Sequence, residues 1–555
     1  MKKDNQLPAE ELEVSTRLGK YQPVIEAAWS DLKKDHIIER ILAHDYTVWQ
    51  PDQTEISNRL GWLDIAERMQ AAIPDITSLV DQLRQTGFRK VVLIGMGGSS
   101  LAPEVFRTSF GQKKGYLDLV VLDSTDPAAI LDLDRSLDLA HTIFIVSTKS
   151  GTTTETISFF KHFYNRVLGK FGEAKAGGHF IAITDPGSPL VDLAKRSNFR
   201  ATVLADANLG GRYSALSHFG LLPAALVGVD LRTLLTRAIN MAEACKKENS
   251  PGGWLGVILA ELAKTGRDKV TFLLSRSIAS FGNWIEQLIA ESTGKSGKGI
   301  LPVVGETPGP IDEYGTDRLF VNLCLEGDHT NDVFVTALMN AGHPVLVIKL
   351  QDVYDLGGQF YLWELATAVA GYRLGIQPFD QPNVESAKIL TRKMIAEFSK
   401  KGALPAAHPS PMTKASLHEF LANPAQGAYI AIQAYLPSSP AMDEALLGLR
   451  LKLRELTHLG TTVGYGPRFL HSTGQLHKGD AGKGLFIQFL SHAIQDVLIP
   501  DVAGNPGGSL TFGTLKTAQA LGDQQALLEA GRKVILFNLG SVHLSHQLEL
   551  FTASL

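Results

Sequence analysis

Two short stretches carry the residue types that hold a phosphate. In the run STKSGTTTET, Ser147 to Thr156, six hydroxyl side chains and Lys149 fall within the eight positions from Ser147 to Thr154. Hydroxyl donors, backbone N–H groups and one cation make a cradle for a phosphomonoester without a metal ion. A cluster of N-caps on a solvated helix has a similar composition, so the place of the run in the fold decides between the two. The other stretch is GMGGSS, Gly95 to Ser100. Its glycines allow close backbone approach to a ligand. A helix starting there offers N–H groups and the positive end of its dipole to an anion. A tight strand-to-helix turn reads the same way. The loop lacks the spaced GxGxxG pattern that, with Asp123 after the next strand, would indicate a dinucleotide.

Both stretches follow short apolar runs, so strands must position them. Val91–Ile94 runs into GMGGSS, and Ile143–Val146 runs into the hydroxyl-rich loop. Residues 120–122 and 180–183 repeat the pattern, and Thr154 to Leu168 reads as a helix between strands. Strands alternating with helices imply βαβ units and a parallel sheet, with both loops at its carboxyl edge, where open α/β sheets bind ligands. A second set follows: strands at Val270–Leu274, Leu319–Leu325 and Val345–Leu350, and helices near Ser280–Glu291 and Gln359–Leu374. Residues 1 to about 85 read as helical, with Trp62, Ile65 and Met69 on one face and Leu63 at its edge. Lys400 to Thr413, with three prolines, reads as a linker. Beyond it, Ala428–Tyr435 and Lys533–Asn538 read as strands. ALMNAGHPVLVIKL (337–350) is echoed by ALLEAGRKVILFNL (526–539), which a duplication or a generic helix-then-strand pattern would produce.

Composition narrows the classes. The 555 residues carry 53 Lys plus Arg against 57 Asp plus Glu, a net charge of −4. That balance argues against a general nucleic-acid binder, which needs a basic face. A hydrophobic content of 44% with 20% charged residues fits a globular chain and excludes disorder as the main state. Cys245 and Cys324 are the two cysteines, too few for a disulfide framework or a four-cysteine metal site. The first residues show no apolar signal core, and no uninterrupted apolar stretch reaches ~18 residues. The expectation is a cytoplasmic enzyme-sized protein of three units, 1–235, 236–399 and 400–555, with no membrane partner.

The run TKSGTTTE resembles the serine/threonine loop of a sugar isomerase (SIS) domain. GGRYSALSHFGLLP (210–223), AESTGKSGKG (290–299) and PFDQPNVESAK (378–388) narrow the resemblance to the phosphoglucose isomerase family over about residues 55 to 390. One feature departs from it. The family's ring-opening histidine normally lies between the second and third of these blocks, and the segment that opens that interval, GETPGPIDEYGTDRLF, has none. An HSxGQ-like segment, FLHSTGQLHKGD, occurs far later, Phe469 to Asp480. In this the chain resembles the isomerase module fused to transaldolase in some bacteria, though no transaldolase-sized extra domain is visible.

The resemblance implies two SIS-like doubly wound parallel-sheet domains plus a C-terminal α/β segment. It implies aldose–ketose isomerisation of glucose 6-phosphate and fructose 6-phosphate through an enediolate, without cofactor or metal. Glu291 would be the base that moves a proton between C2 and C1. Arg212 would stabilise the enediolate. His471 would open the sugar ring, since histidine titrates near neutrality, with His477 as its rival and Lys388 assisting at the ring oxygen. Phosphate would be held by Ser99, Thr148, Lys149, Ser150, Thr153 and Gln381. The family usually has Ser at position 148 and Thr at 150, so both hydroxyls persist. Gly98 and Gly211 would approach the substrate, and Glu155 would support the histidine. A bifunctional phosphoglucose/phosphomannose isomerase and a non-catalytic sugar-phosphate sensor are the alternatives. The partner expected is a sugar phosphate, not nucleic acid. A homodimer stays open, as does whether His471 acts within one chain.

Overall fold

β-branched and aromatic runs with no room for polar side chains form strands buried on both faces. In the computed structural model, which describes residues 13–555, β1 (Glu13–Arg17) is the first element, in a region expected to be helical. Its five residues, EVSTR, are too short and polar to announce a strand. It is an edge strand, paired antiparallel with a later one. The remainder of the expected helical region does fold as helices and 3-10 turns, and Trp62, Leu63, Ile65 and Met69 are all buried. The reading of residues 1–12 lies outside the described residues.

The first parallel sheet holds β2 (Lys90–Ile94), β3 (Asp118–Leu122), β4 (Thr142–Ser147), β5 (Phe180–Thr184) and β6 (Ala201–Leu204), in the order β3-β2-β4-β5-β6. β2, at the switch point, runs into the helix α1 (Gly98–Phe110), and β4 into α2 (Thr154–Phe171). The second sheet holds β7 (Lys269–Leu274), β8 (Leu301–Val303), β9 (Arg318–Leu325) and β10 (Val345–Leu350), with β1 on its edge: β1-β10-β9-β7-β8. α3 (Phe281–Thr293) lies between β7 and β8, and α4 (Asp332–Asn340) between β9 and β10. α5 (Val384–Lys401) leads out of this unit.

The C-terminal segment is a third parallel sheet. β11 (Tyr429–Tyr435), β12 (Gly460–Tyr465), β13 (Gly484–Leu490) and, after the small β14 (Leu498–Ile499) and β15 (Leu510–Thr511) ribbon, β16 (Lys533–Asn538) stand in the order β12-β11-β13-β16. Counted along the chain, both the second and the third sheet place their four parallel strands as second, first, third, fourth. The sequence echo falls on matching pieces, α4–β10 in one and the end of α7 (Phe512–Glu529) with β16 in the other. The interval after the second strand is 304–317 in the second unit and 466–483 in the third. The latter carries the short helix α6 (Gly474–Gly479) and the HSTGQ segment. The HSTGQ segment therefore occupies, in the third unit, the place that residues 304–317 occupy in the second.

The second and third sheets meet edge to edge. Arg450 donates to the Val304 carbonyl (2.7 Å), and Thr461 to Glu306 (3.1 Å). Arg318 pairs with Glu306 at 3.2 Å and donates to the Leu459 carbonyl at 3.2 Å. Arg318 and Glu306 are fully buried, and each charge is answered by several partners, the condition under which a buried ion is tolerated. No helix among the described residues is long and apolar enough to cross a membrane.

Candidate active site

At the join of the three units lies a cavity of about 190 Å³. Ser150, Thr152, Thr153 and Glu155 line it from the loop after β4, Lys388 from α5, His471 and Lys478 from the third unit, and Gln519 from α7. His471 and Glu155 are 316 positions apart, yet His471 Nε2 lies 3.0 Å from Glu155 Oε1 within one chain. Burial raises the Glu155 carboxyl, but the charge of His471, its hydrogen bond and the Lys388 ammonium outweigh it and hold the group below its ordinary range. Its rival His477 is no candidate for this role. It is buried in the third unit against Phe486 and Gln433, and burial, with Lys478 and Arg532, drives it well below the normal histidine range.

Glu291 stands on the last turn of α3. Phe281, Trp284, Ile285, Leu288 and Ser292 are buried along this helix, at the i, i+3, i+4 spacing that fixes a helix against its neighbours. Gly294 ends it, and a Cβ there would lie 2.2 Å from the Leu476 Cα. Only glycine lets α3 touch the histidine-bearing segment so closely. Gln287, one turn before Glu291, donates to Glu291 Oε2 (3.0 Å) and to the His471 carbonyl (2.8 Å). One side chain thus ties the base candidate to the backbone of the ring-opening candidate. Arg212 Nη1 is 3.3 Å from Glu291 Oε1. Its other N–H groups donate to Ser292 Oγ (2.8 Å), Gln381 Oε1 (3.1 Å) and the carbonyls of Pro378 (2.7 Å) and Asp380 (2.9 Å). A guanidinium held at this many points cannot swing and cannot lose its charge.

The phosphate candidates divide. Thr148 and Thr153 share a hydroxyl–hydroxyl bond of 2.9 Å, and Ser150 bonds Thr152 at 3.1 Å. Thr153 is the N-cap of α2 but makes no side-chain capping bond, so its hydroxyl is not spent on capping. Lys149 points elsewhere: its ammonium pairs with Asp185 and donates to the Ala207 carbonyl at 3.2 Å. Gln381 likewise faces Arg212 rather than the hydroxyl loop. Ser99 is nearly buried at the start of α1. Gly98 and Gly211 face each other, and a Cβ on Gly98 would fall 1.9 Å from the Gly211 carbonyl oxygen. The structure therefore gathers Glu155, Lys388 and His471 with Ser150 and Thr153 at the cavity, and Glu291, Arg212 and Gln381 beside it. Lys149 stands apart from both groups. Among the described residues no cluster of three His, Cys, Asp or Glu is placed to hold a metal ion.

A family model described as phosphoglucose isomerase matches residues 64–316. A glucose-6-phosphate isomerase from Carboxydothermus hydrogenoformans is 29% identical over 395 residues, covering 60% of this chain and 85% of that protein. One from Lactobacillus helveticus is 31% identical over 366 residues, covering 56% of this chain and 80% of that protein. The chain belongs to the phosphoglucose isomerase family. Among solved structures, a hypothetical protein from Thermus thermophilus superposes with a TM-score of 0.60 at 26% identity over 69% of this chain and 100% of that one. A glucose-6-phosphate isomerase from Chlamydia trachomatis shares the fold, with a TM-score of 0.58 at 18% identity over 75% of this chain and 92% of that one. The span matched by the phosphoglucose isomerase model holds Gly98 to Glu155, Arg212 and Glu291. Gln381, Lys388 and His471 lie beyond it.

Several polar side chains around this candidate site escaped the sequence reading. Gln287 had a signal, its i, i+4 spacing from Glu291, which puts both on one helix face. Lys295 donates to Asp380 Oδ1 (2.6 Å), and burial, with the Arg212 guanidinium, pushes its ammonium down to about 8. Gln475 stands in the HSTGQ segment, but its partners, the Gly294 carbonyl (2.8 Å) and Asn383 (2.8 Å), are remote in sequence. No signal marked Glu286, which accepts from Ser472, the residue after His471, at 3.3 Å. Burial raises the Glu286 carboxyl to about 7, against smaller opposing effects of Ser472, Arg450 and Arg468. Its folded form holds the proton more tightly than its unfolded form. Its contribution to stability is therefore complete below the ordinary glutamate range and is lost as pH rises through about 7. Glu286→Gln is expected to melt higher than the parent above pH ~7 and to match it below pH ~4.5, read from melting temperatures across that range. Equal offsets at both ends would contradict the assignment.

Proposed function

We infer that this chain interconverts glucose 6-phosphate and fructose 6-phosphate by proton transfer through an enediolate, as the names of its relatives indicate. The observation that supports this best is the pairing of two chemistries on one bridge: Gln287 touches both Glu291, beside Arg212, and the backbone of His471, itself beside Glu155. An isomerase of ring-closed sugars needs both an acid–base group for the ring and a base for the carbon acid.

The geometry supports the following steps. Glu155, held ionised, accepts a hydrogen bond from His471 Nε2–H, which leaves Nδ1 as the nitrogen to exchange a proton with the sugar's ring oxygen and anomeric hydroxyl. Lys388 supports the charge that develops on the ring oxygen. Once the chain is open, Glu291 takes the C2 proton and returns it to C1, the hydroxyl proton passes from O2 to O1, and the carbonyl moves from C1 to C2. Substrate hydrogen is only redistributed, so no external oxidant or reductant enters. The fixed Arg212 guanidinium faces the negative charge of the enediolate and needs no reorganisation to do so. The hydroxyls of Thr148, Ser150, Thr152 and Thr153 take the phosphate at the far end, which leaves C1 and C2 free to react.

The test is turnover of fructose 6-phosphate by the purified full chain, with glucose 6-phosphate read by a coupled dehydrogenase, in the presence and absence of a chelator. Chelator-resistant turnover is expected. Binding of the sugar phosphate without turnover would replace this reading by that of a sensor.

A further inference from the structure

The Glu155–His471 pair is not the end of its hydrogen-bond chain. Gln519 Nε2 donates to the same Glu155 oxygen at 2.7 Å, and Gln519 Oε1 accepts from the Thr125 hydroxyl at 2.9 Å. All three supporting side chains are buried: Thr125 0%, Gln519 4% and Glu155 6% exposed. We propose that Gln519 is a positioning residue for ring opening, acting through Glu155 to hold His471 in one tautomer and one orientation. The proposal rests on the isomerase reading above.

The direction of each bond is fixed by chemistry. The amide oxygen of Gln519 takes the Thr125 hydroxyl hydrogen, so its NH2 must face Glu155. An ionised carboxylate only accepts, so an oxygen already receiving one N–H bond receives the second from His471 Nε2–H. Thr125, Gln519 and Glu155 therefore form a relay whose last member dictates which imidazole nitrogen carries the proton. Without Gln519, Glu155 Oε1 would lose one of its two side-chain donors and be held less firmly in one orientation.

Gln519 is also held in place by its helix. Lys516, three residues before it on α7, donates to Asp126 at 2.9 Å, and Asp523, four residues after it, accepts from Lys478 at 2.5 Å. The spacing puts all three on one face of α7. Lys516, Asp126, Lys478 and Asp523 are each buried, so misalignment would strand a charge in the interior, at high cost. α7 is thereby indexed in rotation and height against the first unit, through Thr125, Asp126 and Glu155, and against the histidine segment, through Lys478.

The experiment compares two substrates. Fructose 6-phosphate is mostly ring-closed. Its 5-O-methyl derivative cannot close a furanose ring and reaches the base already open. In Gln519→Leu, kcat for fructose 6-phosphate is expected to fall about 10-fold with KM within about twofold, as for loss of a supporting shell. Turnover of the 5-O-methyl substrate should stay within about twofold of the parent. Thr125→Val, which removes only the orienting hydroxyl, should show the same selectivity at about threefold, and it carries the test if Gln519→Leu does not fold. Equal losses on both substrates would reduce Gln519 to a packing residue and overturn the proposal, as would no loss on either. A parent chain inactive on both substrates would instead overturn the isomerase reading.

Discussion

Glu291→Gln is expected to lower kcat by about 10³-fold while leaving KM within about threefold of the parent, the range of a lost general base. The substitution keeps shape and hydrogen bonding almost intact. A glutamine oxygen still faces Arg212, while its NH2 replaces the oxygen that accepted from Gln287, so one hydrogen bond is lost; Arg212 remains tied to Ser292, Gln381, Pro378 and Asp380. What is lost is the ability to take a proton from carbon. Because the loss is in a step made only in the transition state, it belongs in kcat. A second measurement isolates the step: in heavy water the parent exchanges solvent deuterium into C1 and C2 of the sugar, and Glu291→Gln should not. Exchange persisting at more than about a tenth of the parental rate would assign the base elsewhere.

His471→Ala should separate ring opening from carbon chemistry. Turnover of fructose 6-phosphate is expected to fall about 10²-fold, at the lower end for general acid–base catalysis because sugars also open slowly in water. The 5-O-methyl substrate, already open, should be turned over within about threefold of the parental rate, whereas Glu291→Gln should fail on both. The crossed result follows from the distances. Glu291 touches His471 only through Gln287 and the backbone carbonyl of residue 471, a contact that alanine keeps. Parallel losses on the two substrates would mean that the imidazole serves the proton transfer at carbon or the architecture as a whole.

How much of this was legible in the sequence depends on how local each signal was. The strands before the two loops were plain because Val91–Ile94 and Ile143–Val146 are buried on both faces and leave no polar position to confuse the pattern. β8 (LPV) and β1 (EVSTR) were not, being too short or too polar for any periodicity. Glu291, Arg212 and Lys388 could be named because each sits in a recognisable block. The displaced histidine could be named but not explained. The repeated strand order of the second and third sheets, which puts its segment where residues 304–317 lie in the second unit, was only hinted at by a sequence echo of 14 residues. Lys149 was placed by loop composition, but Asp185, 36 residues away, claims its charge. Gln519 was invisible, since its meaning lies wholly in Thr125 and Glu155, 394 and 364 positions distant.

Those separations bear on when the enzyme comes into being. During synthesis the first two sheets are complete, with the phosphate loops, Arg212 and Glu291 in hand, before the histidine segment and α7 have been made. Loop closure over roughly 300 residues or more comes late because its entropy must be met before any contact rewards it. Activity is then a reporter of the last cooperative unit to fold rather than of the bulk of the molecule. If the third sheet opens as a unit by itself, amide exchange in β11, β13 and α7 will rise together with loss of turnover, while β2, β4 and β7 stay protected. Such a chain would keep most of its secondary structure and have no active site.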